Sequence, residues 1–420
     1  MGRLYTRRHQ FPLRVVKPRA EPCDSLAFAE RCSRLPLEIV GFIIVETAKL
    51  QYGKRNVAPF CLISKASLPG VRRELYRSVS MSYRYWDVDS REELLEEDFQ
   101  GLVMNDAAFL RTLKEAPHLG ALVRGLTLDL QFYEYLLPEE GTDEIRSSVQ
   151  TIFGACANIS QLEVRTTGDG CPTDYIAETI AELETTPPLE ELDITCFGTE
   201  IDGLLGRLPK LRNLHLRAHF KLWAMGHRFP SPPPFPFSLQ ELKYDIESPG
   251  VFQAIMHNSH STLRTLNTTS SLFLDKEVRT ALPSFNALKA LDVKMYITDH
   301  KHSKRTAFAI SSLPSLQTLS VHSSPGPSGA PLVDLLIPRL PSSLQTLDLA
   351  HIPVDSTSIN RFIDRDHATP LPNLRLVRID SEGWASRKAT QKAEKERVQR
   401  ELALERCEIA GLEVEVGRRY

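Results

Sequence analysis

The apolar positions of residues 208–220, LPKLRNLHLRAHF, follow a mixed spacing. Two gaps of three residues, from Leu208 to Leu211 and from Leu211 to Leu214, precede a gap of two that ends at Leu216. Gaps of three are typical of one face of a helix, whereas a gap of two is typical of one face of a strand. The pattern therefore predicts a turn that leads directly into a short strand.

This triplet, an apolar residue followed by others three and five positions later, recurs ten times between residues 123 and 379. Its starts lie 22 to 36 residues apart, a period typical of solenoids. Segments between the triplets, such as 143–159 and 250–260, carry apolar residues at helical spacing. Because one strand and one helix cannot bury their apolar faces alone, the units must stack. The ten triplets begin at Val123, Ile159, Leu189, Leu211, Leu239, Leu263, Leu288, Leu316, Leu344 and Leu374.

The triplets and their helical spacers resemble the leucine-rich repeat family over roughly residues 100–384. The resemblance implies an α/β solenoid: a horseshoe with parallel strands on its concave face and helices outside. The asparagine or cysteine that the family usually carries just after the last leucine is mostly absent, which indicates the irregular variety. The repeat that begins at Leu263 departs further, since Thr268 replaces its last aliphatic residue.

Residues 34–80 have a different pattern, with three short apolar elements that predict three small helices. These elements resemble an F-box in three blocks: LPLEIV at 35–40, LISK at 62–65 and RRELYRSV at 72–79. Two features depart from the family, because Ser67 and Leu68 stand where it has a tryptophan and Pro59 interrupts the second helix. A generic helical cap of the solenoid is the alternative interpretation.

F-box proteins with leucine-rich repeats are similar to the substrate receptors of SCF-type cullin–RING ubiquitin ligases. The resemblance implies that the F-box binds a Skp-family adaptor, and through it a cullin, while the repeats hold a target protein for ubiquitin-dependent degradation. Such a receptor is not an enzyme, since it only raises the local concentration of its target. The competing hypothesis is an interaction scaffold without a ligase role. The expected adaptor contacts are Leu35, Pro36, Ile39, Val40, Leu62 and Ile63.

The residues that alternate with the inward aliphatics should face solvent on the concave side, which is the default target-binding surface of a solenoid. They mix both signs of charge and contain no regular aromatics, so the sequence favours a protein target over nucleic acid. The candidate target contacts are Asp193, His215, Arg217, Lys243, Asp245, Asp292, Lys294, His322, Asp348 and Arg378.

The amino-acid composition agrees with the predicted repeat protein and adds little to it. The chain has 42% hydrophobic and 25% charged residues and a net charge of −2, which is typical of an ordered protein without a field that selects nucleic acid or membrane. We find no apolar segment long enough to span a bilayer. Seven scattered cysteines without a CxxC motif indicate reduced thiols and a cytoplasmic or nuclear location.

No catalytic, metal or cofactor motif is expected. The pairs His257/His260 and His215/His219 lack the cysteine or carboxylate neighbours of a metal site. The proline-rich stretch 229–237 predicts a stiff insertion whose phenylalanines pack on the solenoid. The predicted organisation is a basic tail (1–30), an F-box-like domain (31–80), an acidic linker (81–105), the repeats (106–384) and a C-terminal helix–strand cap (385–420). In that cap Val398, Leu402, Leu404 and Cys407 are expected to form the apolar side of the helix.

Overall fold

The computed structural model divides the chain into two compact units, Met1–Leu75 and Tyr76–Tyr420. In the first unit it describes only residues 68–75, which belong to helix α1 and include the buried Val71. Everything below concerns the second unit. The described residues are 68–86, 101–104, 107–131, 139–166, 174–196, 200–218, 232–246, 248–295, 300–323, 335–349, 371–380, 399, 401–405, 407 and 412–417.

Thirteen strands of the described residues form one open sheet in the order β13 to β3, then β1 and β2. Every neighbouring pair is parallel except β1 and β2, which are antiparallel. From β3 onward each strand therefore lies beside the next one in the chain, as expected for an α/β solenoid. The strands are β1 (Ser78–Trp86), β2 (Gly101–Met104), β3 (Gly125–Gln131), β4 (Gln161–Thr166), β5 (Glu191–Cys196), β6 (Asn213–Ala218), β7 (Glu241–Tyr244), β8 (Thr265–Thr269), β9 (Ala290–Met295), β10 (Thr318–Ser323), β11 (Thr346–Leu349), β12 (Leu376–Asp380) and β13 (Glu413–Gly417).

All ten predicted strands are confirmed as β3 to β12, and the predicted C-terminal strand is β13, which pairs with β12. The sequence analysis did not predict β1 and β2. Ser78 and Val79, the last residues of the F-box-like block, lie in β1 and not in the preceding helix. Parts of the predicted acidic linker 81–105 are also strands of the sheet. The parallel sheet thus starts before the first triplet.

The helices lie on the side of the sheet to which the aliphatic residues point, because strand and helix side chains share one buried cluster. In β9, for example, Leu291, Val293 and Met295 are buried while their neighbours are partly exposed. The first aliphatic residue of a repeat, such as Leu211, is buried in the turn before the strand, as predicted. The helices are α1 (Leu68–Arg77), α2 (Ala107–Glu115), α3 (Glu139–Ala155), α4 (Asp174–Glu182), α5 (Glu200–Leu205), α6 (Pro249–Met256), α7 (Lys276–Ala281) and α8 (His300–Ser311), with 3-10 turns at Pro117–Leu122, Ser270–Leu274, Leu282–Ser284 and Ile337–Arg339.

Asparagine side chains tie successive repeats together at the turns before the strands. Nδ2 of Asn158 donates to the carbonyl of Ala121 at 2.9 Å, and Nδ2 of Asn373 donates to that of Ser342 at 2.9 Å. A carbonyl in a turn has no helical or sheet partner of its own, so each amide satisfies a group that would otherwise need water. These bonds help to fix the spacing between repeats.

The described part of the proline-rich stretch contributes to the core. Phe235 and Phe237 are buried, and their rings stack with centroids 5.5 Å apart. Asn258 holds this segment by donating to the carbonyl of Phe235 at 2.8 Å. The predicted packing of these two phenylalanines is therefore confirmed, while Phe229 lies outside the described residues.

The C-terminal helix packs on the core through two of the expected residues, Leu404 and Cys407, but not through Leu402. Leu402 is 48% exposed, whereas Ala403 and Cys407 are buried. Residues four apart share one face of a helix, so Ala403 and Cys407 define its inner side and the assignment of Leu402 to that side was wrong. Val398 lies outside the described residues. Burial raises the pKa of the Cys407 thiol, and likewise that of Cys156, to about 11, so both are inert core residues.

Candidate protein-binding face

The strand residues that alternate with the buried aliphatics project to the side of the sheet away from the helices, here called the polar face. Its middle row is aligned by the backbone register from strand to strand. The middle row consists of Thr127, Glu163, Asp193, His215, Lys243, Asn267, Asp292, Ser320, Asp348, Arg378 and Glu415.

All ten residues that the sequence indicated as target contacts lie on the polar face. Six are in the middle row: Asp193, His215, Lys243, Asp292, Asp348 and Arg378. Arg217, Lys294 and His322 lie two residues further along their strands, and Asp245 directly follows β7. Their role in binding a target stays a prediction.

His215 is the centre of a charged network on β5 to β7. Its Nδ1 lies 2.9 Å from Oδ2 of Asp193, and Nη2 of Arg217 lies 2.7 Å from the same oxygen. Nε2 of the ring lies 3.3 Å from Nε of Arg217 and 4.0 Å from Oδ2 of Asp245. Lys294 extends the network from β9, because its Nζ lies 3.0 Å from Oδ1 of Asp245. Four repeats are thus joined by charged side chains.

These contacts shift the pKa values of His215, Asp193 and Asp245. Partial burial lowers the pKa of His215, but hydrogen bonds to Asp193 and Asp245 outweigh that effect, and the pKa lies above the ordinary value for histidine. Burial raises the pKa of Asp193, and the contacts with His215 and Arg217 reverse this and hold it below its usual range. The pKa of Asp245 is lowered in the same way by His215 and Lys294, against burial. The two carboxylates therefore make protonation of His215 easier than in a free histidine, and Arg217 opposes this effect.

A second cluster surrounds His322 on β10. Its Nε2 lies 3.1 Å from Oδ1 of Asp292 and 2.9 Å from Oγ of Ser320, while Asn267 donates to the other oxygen of Asp292 at 2.7 Å. The hydrogen bond with Asp292 raises the pKa of His322 despite partial burial. Serine, histidine and aspartate are also the members of a hydrolytic triad, but there the acid and the serine contact opposite ring nitrogens. Here both contact Nε2, so this cluster lacks the geometry of a proton relay.

The ends of the polar face are also internally paired. Arg165 makes two bonds to Glu163 at 2.7 and 2.9 Å, and Nε of Arg378 donates to Glu415 at 2.6 Å. Between β1 and β7 the face forms an open depression of about 500 Å³. Its charged lining comprises Glu163, Glu191, Asp193, His215, Glu241 and Lys243. A protein side chain or short segment would fit there, which is the expected use of such a surface.

The candidate adaptor contacts cannot be placed in the same way. Leu35, Pro36, Ile39, Val40, Leu62 and Ile63 all lie outside the described residues, as does His219. His257 and His260 are exposed at the end of α6. Within the described ranges no group of three or more histidine, cysteine, aspartate or glutamate side chains is arranged to hold a metal ion. None of the helices in that part of the chain is long and apolar enough to cross a lipid bilayer.

The sequence analysis missed one set of charged residues. The residue directly before the strand is an exposed arginine or lysine in five repeats and also before β1. The signal was present in the sequence, because in all but Arg77 this residue follows the first aliphatic position of a triplet. The six cations are Arg77, Arg124, Arg212, Arg264, Lys289 and Arg375.

The chain matches no protein-family model and no curated protein. The fold and the polar face therefore stand on the sequence pattern and the structure.

Proposed function

We propose that this chain is the substrate-recognition subunit of an SCF-type ubiquitin ligase, whose F-box-like segment binds a Skp-family adaptor and whose repeats bind a target protein. The observation that carries the proposal is the combination of the three F-box-like blocks at 35–40, 62–65 and 72–79 with the repeats that follow them. The stack of parallel strands supports the assignment of those repeats as leucine-rich.

The polar face supports the second half of the proposal. It is a broad, partly exposed surface on rigid strands, and it carries charged groups at fixed spacing. Because neighbouring parallel strands lie about 4.8 Å apart, a partner that contacts β5 to β10 would span about 25 Å. A surface of this extent suits a protein target better than a small metabolite. The receptor would perform no bond chemistry and would act by holding the target near the ubiquitin-conjugating enzyme.

Co-purification with a Skp-family adaptor tests the proposal. Ile39→Glu and Leu62→Glu place a charge at expected contacts, and each should abolish capture of the adaptor because an unpaired carboxylate would be buried in the interface. Leu402→Glu is the matched control, since Leu402 is exposed in the C-terminal helix and its replacement should leave capture unchanged.

The missing tryptophan and Pro59 favour a second candidate function, a repeat scaffold that does not bind the adaptor. The same pulldown separates the two candidates. If the wild-type chain is soluble and folded but captures no adaptor, the ligase proposal is wrong and the scaffold is favoured.

A further inference from the structure

The eleven residues that directly precede β1 and β3 to β12 form a continuous row along one edge of the polar face, here called the leading row. Backbone bonds join its members: Arg212 N donates to the carbonyl of Glu190 at 2.9 Å, and Arg264 N to that of Gln240 at 2.8 Å. Neighbouring members therefore lie about one strand spacing, roughly 4.8 Å, apart. The row consists of Arg77, Arg124, Ser160, Glu190, Arg212, Gln240, Arg264, Lys289, Gln317, Gln345 and Arg375.

The leading row is strongly basic. Six of its members are arginine or lysine, all exposed, and Glu190 is its one acidic residue. The other four members are serine or glutamine. The net charge of the chain is −2. Because these cations lie close together, they nevertheless create a positive electrostatic potential along the row.

The cations of the leading row differ from those of the polar face in their partners. On the polar face Arg165, Arg217, Lys294 and Arg378 each have a carboxylate within 3.0 Å. Among the described residues, five cations of the leading row form no salt bridge. A cation that already has a carboxylate partner must lose it to bind a ligand, whereas an unpaired cation loses only water. The five cations without a carboxylate partner are Arg124, Arg212, Arg264, Lys289 and Arg375, of which Arg124 also donates to the carbonyl of Asn158 at 3.3 Å.

We propose that the leading row binds an acidic, extended segment of a partner protein. Arg212, Arg264 and Lys289 precede β6, β8 and β9, so their backbones lie roughly 10 and 5 Å apart along the row. An extended chain rises about 3.3 Å per residue. The six cations of the row span ten strand spacings, so they lie about 10 Å apart on average. Aspartate or glutamate at about every third residue would therefore match the average spacing of the cations.

A nucleic acid is a poorer match. Each strand of a DNA duplex carries one phosphate about every 3.4 Å along the helix axis, whereas the leading row offers six cations over ten strand spacings, or roughly 50 Å. Glu190 interrupts the row, and Glu191 and Glu241 stand on the polar face immediately beside it. These carboxylates would repel a continuous phosphate backbone, while an irregular acidic peptide can avoid them.

For the ligase receptor proposed above, this inference names the chemistry of the target, and in that respect it rests on the proposed function. A target whose acidic segment lies on the leading row would have its neighbouring residues over the depression on the polar face. The binding itself does not require the adaptor.

The test uses the purified full-length chain and a fluorescein-labelled peptide of about 15 residues, long enough to span the row, with glutamate at every third position. A peptide with glutamine in place of glutamate and a single-stranded DNA oligonucleotide are the comparison probes. The variant Arg212→Gln/Arg264→Gln/Lys289→Gln removes three central cations. Glutamine already occupies this position at Gln240, Gln317 and Gln345, so the fold accommodates it.

The matched control, Lys276→Gln/Lys301→Gln/Lys304→Gln, removes the same charge from exposed residues of α7 and α8. In fluorescence anisotropy at low ionic strength, we expect the glutamate peptide to bind and the leading-row variant to bind it about tenfold more weakly, as for the loss of three exposed ion pairs. The control variant should bind it like the wild type, and added salt should weaken binding.

The inference is overturned if the glutamate peptide does not bind, if the glutamine peptide binds equally well, if both variants lose affinity alike, or if the oligonucleotide binds more tightly than the peptide. Adaptor capture is measured separately. Loss of peptide binding with intact capture would refute only this inference, and peptide binding without capture would refute only the ligase role.

Discussion

Nδ1 of His215 on β6 lies 2.9 Å from Oδ2 of Asp193 on β5. This contact crosses between two repeats, so it couples the protonation of the polar face to the stacking of the solenoid. Asp245 on the opposite side of the ring and Arg217 on the same strand complete its charged surroundings. The pKa of His215 is raised there because two carboxylates face the ring, against the opposing charge of one guanidinium.

We expect His215 to stabilise the folded state most at acidic pH. Its pKa is raised on folding, so its contribution is fully present below the unfolded value of about 6.5 and is lost as pH rises through the folded value. Replacing it with glutamine should therefore lower the free energy of unfolding more at about pH 6 than at about pH 8.5. Urea unfolding of wild type and variant at both pH values measures this difference.

His257→Gln is the control for that measurement, because His257 is exposed at the end of α6. The difference between the two pH values should be larger for His215→Gln than for this control. An equal loss of stability at both pH values for His215→Gln would show that the ring acts through packing and not through its charge. Histidine NMR titration gives an independent check, since Asp193→Asn should lower the pKa of His215.

The repeat period predicted the strands because every inward strand position is buried against the helices. Such a position accepts only an apolar side chain or a polar one whose hydrogen bonds are made. Strand β1 carried the same signal, with Val79, Met81 and Tyr83 alternating and all buried. The resemblance of residues 72–79 to the end of an F-box obscured it. The network around His215 could not be predicted, because contacts between neighbouring strands depend on side-chain rotamers that spacing does not encode.

Polar residues inside the core also form contacts that the spacing of residues does not predict. Thr268 replaces an aliphatic residue in its triplet, yet it is buried in β8. Its Oγ1 donates to the carbonyl of Tyr244 on β7 at 3.1 Å, and the hydroxyl of Tyr244 donates to the carbonyl of Ser248 at 2.6 Å. The sequence indicated an irregular repeat here, and the structure shows a regular strand in which the hydroxyl is satisfied by the adjacent strand.

Thr268→Val tests whether that hydrogen bond matters. Valine has nearly the same shape, so the change removes the donor to Tyr244 with little change in packing. We expect a loss of about 1 kcal/mol in the free energy of unfolding, the usual net value of a buried hydrogen bond. Thr265→Val on the polar face of the same strand should change stability by about 0.5 kcal/mol or less. A more stable Thr268→Val variant would show that apolar burial outweighs the bond.

The C-terminal helix offers the sharpest contrast between two adjacent residues. Ala403 is buried and Leu402 is 48% exposed, so Ala403→Asp would bury an unpaired carboxylate while Leu402→Asp would keep it in water. We expect Ala403→Asp to lower the local stability of the cap by about 3 kcal/mol and Leu402→Asp to lower it by about 1 kcal/mol or less.

Hydrogen–deuterium exchange of β13 measures this local effect, because the amide of Glu413 donates to the carbonyl of Arg375 at 2.9 Å only while the cap is docked. Its exchange should accelerate by about a hundredfold in Ala403→Asp, the factor that corresponds to about 3 kcal/mol, and by about fivefold or less in Leu402→Asp. The opposite ranking of the two variants would mean that Leu402 faces the core and that the helix is rotated by about one residue, roughly 100°.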